Sequence, residues 1–346
     1  MRWDANALAF ENIFQAIGRT PMLKLRRVSQ GLKPDILVKM EYFNATGSVK
    51  DRIYHYMITQ AIGRGELKEG MTILESSSGN SGIACAMVGA LLGFPVVIVL
   101  PSEVSGERKK MIKAYGAEMV ETPGGESDID LCLEKVAELK AKDPGRYWEP
   151  NQFENPDNVR AHFLTTGPEI WEQSKGCVDI FAAAQGTGGT LTGVGRYLRQ
   201  RNPAVKLFAV EPKEAATLAK REWGTHKIEG IGDGFVPRNL DLSILDGVLL
   251  IDSESAIAIA KRLAREEGIF CGISSGCNVL AAMKLAERYP EARAIVTVIP
   301  DSGQRYFSTE ICDEERQLKI PERSHPLDEY SIEQLDKYQS GWLIIE

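Results

Sequence analysis

The chain has 346 residues, enough for one large α/β domain or two smaller lobes. Hydrophobic residues make up 43% and charged residues 26%, with 41 basic against 48 acidic side chains and a net charge of -7. No basic excess is present to neutralise a phosphate backbone, and the longest apolar run, from Phe94 to Pro101, is far shorter than the ~20 residues that span a bilayer, so neither nucleic acid nor membrane is expected as a partner.

The first residues, Met1-Arg-Trp-Asp-Ala-Asn6, contain no apolar signal core. From residue 35 to residue 301, short apolar runs alternate with amphipathic stretches. Strands are expected over 36–40, 72–75, 96–100, 118–121, 180–185, 207–211, 249–251 and 295–299. Several are β-branched and apolar throughout, the pattern of strands covered on both faces of a parallel sheet. Helices are expected over 49–64, 81–92, 105–115, 131–142, 159–173, 190–200, 254–267 and 277–288. The alternation argues for an α/β fold with mostly parallel sheets flanked by helices. The stretch 144–158, rich in Pro, Gly and Asn, reads as a crossing between two lobes. The tail after Lys319 is charged and Pro-rich until Trp342-Leu-Ile-Ile345, which would dock on the body or on a second subunit. Cys85, Cys132, Cys177, Cys271, Cys277 and Cys312 show no CxxC spacing and read as reduced thiols, consistent with a cytoplasmic protein. His55, His162, His226 and His325 are not spaced as a metal triad, and no metal is expected.

Four loops at strand-to-helix junctions carry the chemistry. Gln185-Gly-Thr-Gly-Gly-Thr190 follows an apolar strand, where glycines let backbone amides approach an anion and Thr187 and Thr190 add hydroxyls. It has neither the G-x-G-x-x-G spacing of a dinucleotide fold nor the GKS or GKT of a Walker loop. Glu75-Ser-Ser-Ser-Gly-Asn-Ser-Gly82 concentrates hydroxyls and amides suited to a carboxylate. In Asn44-Ala-Thr-Gly-Ser-Val-Lys50, a lysine stands at a helix start, where the macrodipole opposes a cation; held there away from water, its amine would be lowered in pKa and able to form a Schiff base. Gly272-Ile-Ser-Ser-Gly276 offers a hydroxyl to a ring nitrogen. Taken singly, each has a plainer role as a tight turn, a helix cap or a solvated lysine, and Asp51-Arg52 reads as a helix-surface pair. Together they supply an amine, a carboxylate cradle and a phosphate cradle, the set that pyridoxal phosphate requires.

Across residues 12 to 310 the chain resembles the cysteine synthase and cystathionine β-synthase family of fold-type II pyridoxal-phosphate enzymes. Ile17-Gly-Arg-Thr-Pro-Met22, Ser48-Val-Lys-Asp-Arg52, Ser78-Gly-Asn-Ser-Gly82, Asn151-Gln-Phe-Glu-Asn155, Thr165-Thr-Gly-Pro-Glu-Ile170, Gly186-Thr-Gly-Gly-Thr190, Gly230-Ile-Gly-Asp-Gly-Phe235 and Gly272-Ile-Ser-Ser-Gly276 occur in the family's order. The resemblance implies the two-lobed, tryptophan synthase β-like fold. Its smaller, mobile lobe would span 46–157, its larger cofactor-binding lobe 1–45 and 158–320, and the C-terminal tail 321–346. It also implies pyridoxal 5'-phosphate as cofactor and a homodimeric assembly. Lys50 would be the Schiff-base lysine and general base. Asn80 would meet the cofactor's 3-hydroxyl, Gly186, Thr187, Gly188, Gly189 and Thr190 its phosphate, and Ser274 its pyridine nitrogen. Ser77, Ser78, Gly79, Ser81 and Gln152 would bind the amino-acid carboxylate. The implied reaction is β-replacement on an O-activated serine through an α-aminoacrylate, with sulfide or a thiol as nucleophile.

Within that chemistry, cysteine synthesis from O-acetylserine and sulfide is the leading expectation. Cystathionine β-synthase, a cysteine desulfhydrase or lanthionine synthase releasing hydrogen sulfide, and a diaminopropionate-pathway synthase are the alternatives; an inactive homologue acting as a binding partner is the alternative of another class. Ser77 and Ser81 stand where the family usually has threonine, and Asn44-Ala45-Thr46 lacks the proline common after this asparagine in cysteine synthases. Asp233 stands where a small residue is common. An acid there would repel sulfide or a second carboxylate, attract an amine, or orient a water, so Asp233 is a candidate catalytic residue, against the alternative of an outward-facing turn aspartate. No haem-binding extension or C-terminal regulatory module is expected.

Overall fold

The computed structural model describes residues 9–77, 79–125, 128–312, 319, 321 and 323–346. Its strands are β1 (Met22–Lys24), β2 (Asp35–Met40), β3 (Thr72–Ser76), β4 (Val96–Pro101), β5 (Glu118–Thr122), β6 (Tyr147–Trp148), β7 (Ile180–Ala184), β8 (Lys206–Pro212), β9 (Gly247–Ile251), β10 (Ala294–Ile299) and β11 (Leu343–Ile345). Its helices are α1 (Lys50–Arg64), α2 (Asn80–Leu92), α3 (Gly106–Ala114), α4 (Ile129–Lys142), α5 (Pro156–Leu164), α6 (Thr166–Gln173), α7 (Gly189–Arg201), α8 (Thr217–Lys220), α9 (Ser253–Arg262), α10 (Ile273–Arg288) and α11 (Glu329–Tyr338).

Two sheets result. The larger runs β1-β2-β10-β7-β8-β9-β11 and is parallel except where β1 pairs with β2. The smaller, β5-β4-β3-β6, is parallel throughout. Alternation of side chains explains why the central strands are apolar without a break. Ile180, Phe208, Leu249 and Ile295 face one core with α9 and α10, while Phe181, Leu207, Val248 and Val296 face another with α6 and α7. In the smaller sheet, Ile73 and Ile98 pack towards α1 and α2, whereas Leu74, Val97 and Val99 pack towards α4.

The expected strands are all present, and three were not anticipated. β1, β6 and β11 have two or three residues each, too few to show a period. β6 lies within the stretch read as a crossing and pairs with β3. The helix expected over 159–173 is two helices, α5 and α6, parted at Thr165. Pro168 has no N–H to return to Leu164, so α5 cannot run on through it. The C-terminal tail supplies α11, whose Leu335 enters the large lobe's core, and β11, which extends the sheet beside β9. Among the described residues no helix is long and apolar enough to cross a membrane, and no group of side chains is arranged to hold a metal ion.

Candidate active site

Parallel strands end together, and their C-terminal loops converge. Here the loops after β3, β7 and β10 meet the start of α1 in one cleft. Val49 N–H donates to the Pro300 carbonyl at 2.8 Å, and Ser48 bridges to Asp301, so the turn before α1 is pinned to the end of β10. The body of α1 meanwhile packs Ile53, Tyr54 and Met57 into the small lobe's core. Lys50 is therefore held at the junction of the two sheets.

The surface pair expected at Asp51-Arg52 is instead buried. Asp51 accepts from Thr46 N at 2.6 Å and from its hydroxyl, and burial pushes its carboxyl up to about 6. Arg52 is clasped by Glu41 at 2.6 Å and Glu169 at 2.7 Å, with Lys39 on the other Glu169 oxygen. Satisfied donors on every side make burial of this guanidinium tolerable. The cluster ties α1 to α6 and β2 directly behind the cleft.

The turn 185–188 leads into the N-terminus of α7. Gly188 has φ +78, and a Cβ there would lie 2.7 Å from Leu240. A Cβ on Gly186 would lie 2.6 Å from the Gly230 carbonyl, and one on Gly189 would overlap the Asn158 side-chain oxygen. The chain thus passes where no side chain fits, leaving amides at the positive end of a helix. Thr187 Oγ1 accepts from Asn158 Nδ2 at 3.0 Å. Thr190 Oγ1 lies 3.1 Å from His162 Nε2, and His162 Nδ1 lies 2.9 Å from Thr166 Oγ1. Burial, reinforced by Arg52, lowers the His162 pKa to about 3, so the imidazole is neutral at physiological pH.

On the opposite wall, Ser81 Oγ donates to Gln152 Oε1 at 2.5 Å and Gln152 Nε2 donates to the Ser76 carbonyl at 3.1 Å. Asn80, the first residue of α2, donates from Nδ2 to Asp301 Oδ2 at 2.5 Å, and its Oδ1 is buried without a hydrogen-bond partner among the described residues. Ser274 stands in the first turn of α10 and lines the same cavity. The turn between β3 and α2 is held from within: Ser77 Oγ accepts from Gly79 N at 3.0 Å and from Gly82 N at 2.7 Å.

Asp233 completes the constellation. It is 6% exposed and lines the cavity with Lys50, rather than pointing outward from its turn. Burial raises its carboxyl to about 6 against the pull of Lys50. Its Oδ2 lies 3.7 Å from where a Gly186 Cβ would stand, close beside the anion turn.

An amine, an anion cradle at a helix N-terminus and a separate hydroxyl-amide wall in one cleft are the parts that pyridoxal phosphate and an amino acid need. A family model described as pyridoxal-phosphate dependent enzyme matches residues 13–301. The chain belongs to this family. It is 45% identical over 300 residues to a cysteine synthase of Staphylococcus aureus, covering 86% of this chain and 96% of that protein. Among solved structures, a cysteine synthase of Entamoeba histolytica superposes with a TM-score of 0.85 at 38% identity, over 98% of both chains. A hydrogen sulfide-producing enzyme of Fusobacterium nucleatum superposes with a TM-score of 0.83 at 36% identity, over 86% of this chain and all of that one, 100%.

The cofactor fits these residues. The glycine turn leaves room for its phosphate, Asn80, which lines the cleft, has a buried Oδ1 without a hydrogen-bond partner among the described residues, and Lys50 offers the amine. Lys50, Asn80, Ser81, Gln152, Gly186, Thr187, Gly188, Thr190, Asp233 and Ser274 are brought into one cavity. Ser77, Gly79 and Gly189 sit behind that lining, shaping it, and Ser78 lies outside the described residues. Arg108, Glu229, Asn158, His162 and Asp301 escaped the reading of the sequence, although each touches a lining residue or lines the cleft itself. Asn158 and His162 belong to α5 at three- to four-residue spacing, a helical face that looks structural until α7 is laid against it.

Proposed function

We propose that the chain exchanges the substituent on Cβ of a serine-derived amino acid, joining O-acetylserine and sulfide to give cysteine and acetate. The observation that carries this reading is the single cleft holding Lys50, the Ser81–Gln152 wall and a serine, not a carboxylate, at Ser274. When bound, the cofactor supplies an aldehyde that takes up the substrate amine and a ring that accepts electron density from Cα. Ser81 and Gln152 hold the substrate carboxylate and so orient its Cα–H. Lys50 Nζ takes that proton as acetate leaves Cβ, and returns it once the new bond to Cβ has formed. The neutral Ser274 withholds a proton from the ring nitrogen, which favours prompt loss of the Cβ substituent over longer-lived carbanion chemistry. The small lobe, 46–157, acts as a mobile cover, and the assembly is a homodimer in the cytoplasm, in keeping with six free thiols among the described residues.

Asp233 favours a second reading at the same site. A carboxylate lining the same cleft as Lys50 disfavours hydrosulfide and suits a water. Cysteine and water would then give serine and hydrogen sulfide: the C–S bond breaks, a C–O bond forms, and Asp233 takes a proton from the water. With its carboxyl at about 6, the group exchanges that proton near neutral pH. Holoenzyme given O-acetylserine and sulfide should form cysteine, and given cysteine alone should release sulfide with an equal amount of serine. Asp233→Ala should shift the ratio roughly tenfold or more towards synthesis. An Asp233→Ala ratio equal to that of the parent removes the second reading; holoenzyme inert with both mixtures removes the first as well.

A further inference from the structure

Five side chains, drawn from segments around both sheets, form one chain across the cleft, three of its links hydrogen bonds and the fourth, between Arg108 and Glu229, an ion pair. Arg108 on α3 pairs with Glu229, in the loop that leads to Gly230. Its Nη2 donates to the Tyr306 hydroxyl at 2.5 Å, and its Cζ lies 4.8 Å from the centroid of that ring. Tyr306 donates its own proton to Asp301 Oδ2 at 2.6 Å, and Asn80 Nδ2 donates to the same oxygen at 2.5 Å. Arg108 is 1% exposed, Tyr306 and Asp301 0%.

The valences leave little freedom. A phenol has one proton, and here it goes to Asp301, so its lone pairs must take the guanidinium. Burial drives the phenol's pKa up, which keeps that proton in place. Asp301 Oδ2 receives two donors, which fixes the Asn80 amide with one N–H still to give and its Oδ1 without a partner among the described residues. Arg108 also packs its stem against Gly79, where any Cβ would overlap it, so the turn that leads into Asn80 rests on the same residue. A buried ion pair is a poor source of stability, and its value lies in selecting one arrangement of charges. Arg108 and Asn80 belong to the segments around the small sheet, while Glu229, Asp301 and Tyr306 belong to those of the large one. The full chain of bonds exists only when the two walls of the cleft stand together.

We propose that Arg108, Glu229, Tyr306 and Asp301 are positioning residues that set the Asn80 amide against the cofactor, so that joining the two walls and orienting the cofactor ring are a single event. The proposal rests on the reading of Asn80 as a cofactor contact. Tyr306→Phe keeps the ring under Arg108 and removes the hydroxyl that bridges Arg108 and Asp301, leaving only their direct ion pair at 4.0 Å. In that holoenzyme the visible cofactor band should move, the cofactor dissociation constant should rise roughly tenfold, and kcat should fall by a similar factor with KM for the amino acid little changed. Glu229→Gln, at the far end of the chain and nearly isosteric, should move the same band in the same direction, and Tyr306→Phe combined with Glu229→Gln should add little to either alone, because both break one linked unit. Should Tyr306→Phe not fold, Glu229→Gln carries the same expectations by itself. A wild-type band, dissociation constant and kcat in the folded variants would overturn the proposal, even with a lowered melting temperature, since support of the fold alone moves only the last. Failure of the parent chain to take up the cofactor would instead sink the reading on which the proposal rests.

Discussion

At the scale of single residues, burial decides what each charge can do. Lys50 is set at a helix start by Val49 and Pro300, with Asp233 as the acid across from it. Lys50→Ala should abolish the covalent cofactor band and lower kcat by about 10²–10⁴-fold or more, read by spectrum and steady-state rate. Full turnover in that variant would refute the assignment. Glu211, on β8, shows the same physics without a catalytic role. It is wholly buried, accepts from the N–H groups of Leu218 and Ala219 at 2.9 Å each, and burial raises its carboxyl to about 8. A folded pKa above the unfolded value means that the folded chain holds the extra proton between the two. The stability contributed is full below the ordinary value of 4.5 and is lost as pH rises through about 8. Melting temperature should therefore decline from pH 5 to pH 9, and Glu211→Gln should flatten the decline by at most about 4 kcal/mol at the alkaline end. An unchanged slope in the variant would mean that the carboxyl ionises without penalty.

At the scale of elements, helix N-termini and the C-terminal tail do the positioning. The segment before α11 reaches from the large lobe to the start of α4: Arg323 binds Asp128 at 2.9 Å and Asp130 at 2.6 Å, and His325 stacks on Trp223 and lies 3.2 Å from the Gly234 carbonyl. Arg323 and His325 together hold the Asp130 carboxyl down at about 2. This strap joins small-lobe helix α4 to the loop that carries Asp233. Arg323→Ala should cost about 1–3 kcal/mol and speed amide exchange at the start of α4, with KM for the amino acid affected more than kcat. Equal exchange in variant and parent would show that the strap does not restrain α4. Across the break between α5 and α6, His162 still meets Thr166 four residues on, and its other ring nitrogen holds Thr190 at the head of α7.

For the whole molecule, the cleft is the seam between two cores, and whatever binds there ties them. Removal of the cofactor should lower the unfolding free energy by about 2.7 kcal/mol relative to the chain at a hundredfold excess over its dissociation constant, and calorimetry before and after reconstitution checks this. No difference would place the cofactor outside the folded body. Much of this molecule was legible in the sequence. Apolar strands with β-branched runs and helix-spaced faces give the parallel α/β plan, since periodicity is a local property written along the chain. The glycines at 186, 188 and 189 and the lysine at 50 are legible as well, because few other residues tolerate or perform what those turns require. The short strands β1, β6 and β11 were not, since two or three residues carry no period and form only where an edge awaits them. Nor was the inward face of Asp233, the burial of Arg52, or the chain from Glu229 through Arg108 and Tyr306 to Asp301 and Asn80. Those partners lie as much as 221 residues apart, as Asn80 and Asp301 do, and a side chain's charge, burial and direction follow from what packs on it, which only the assembled sheets decide.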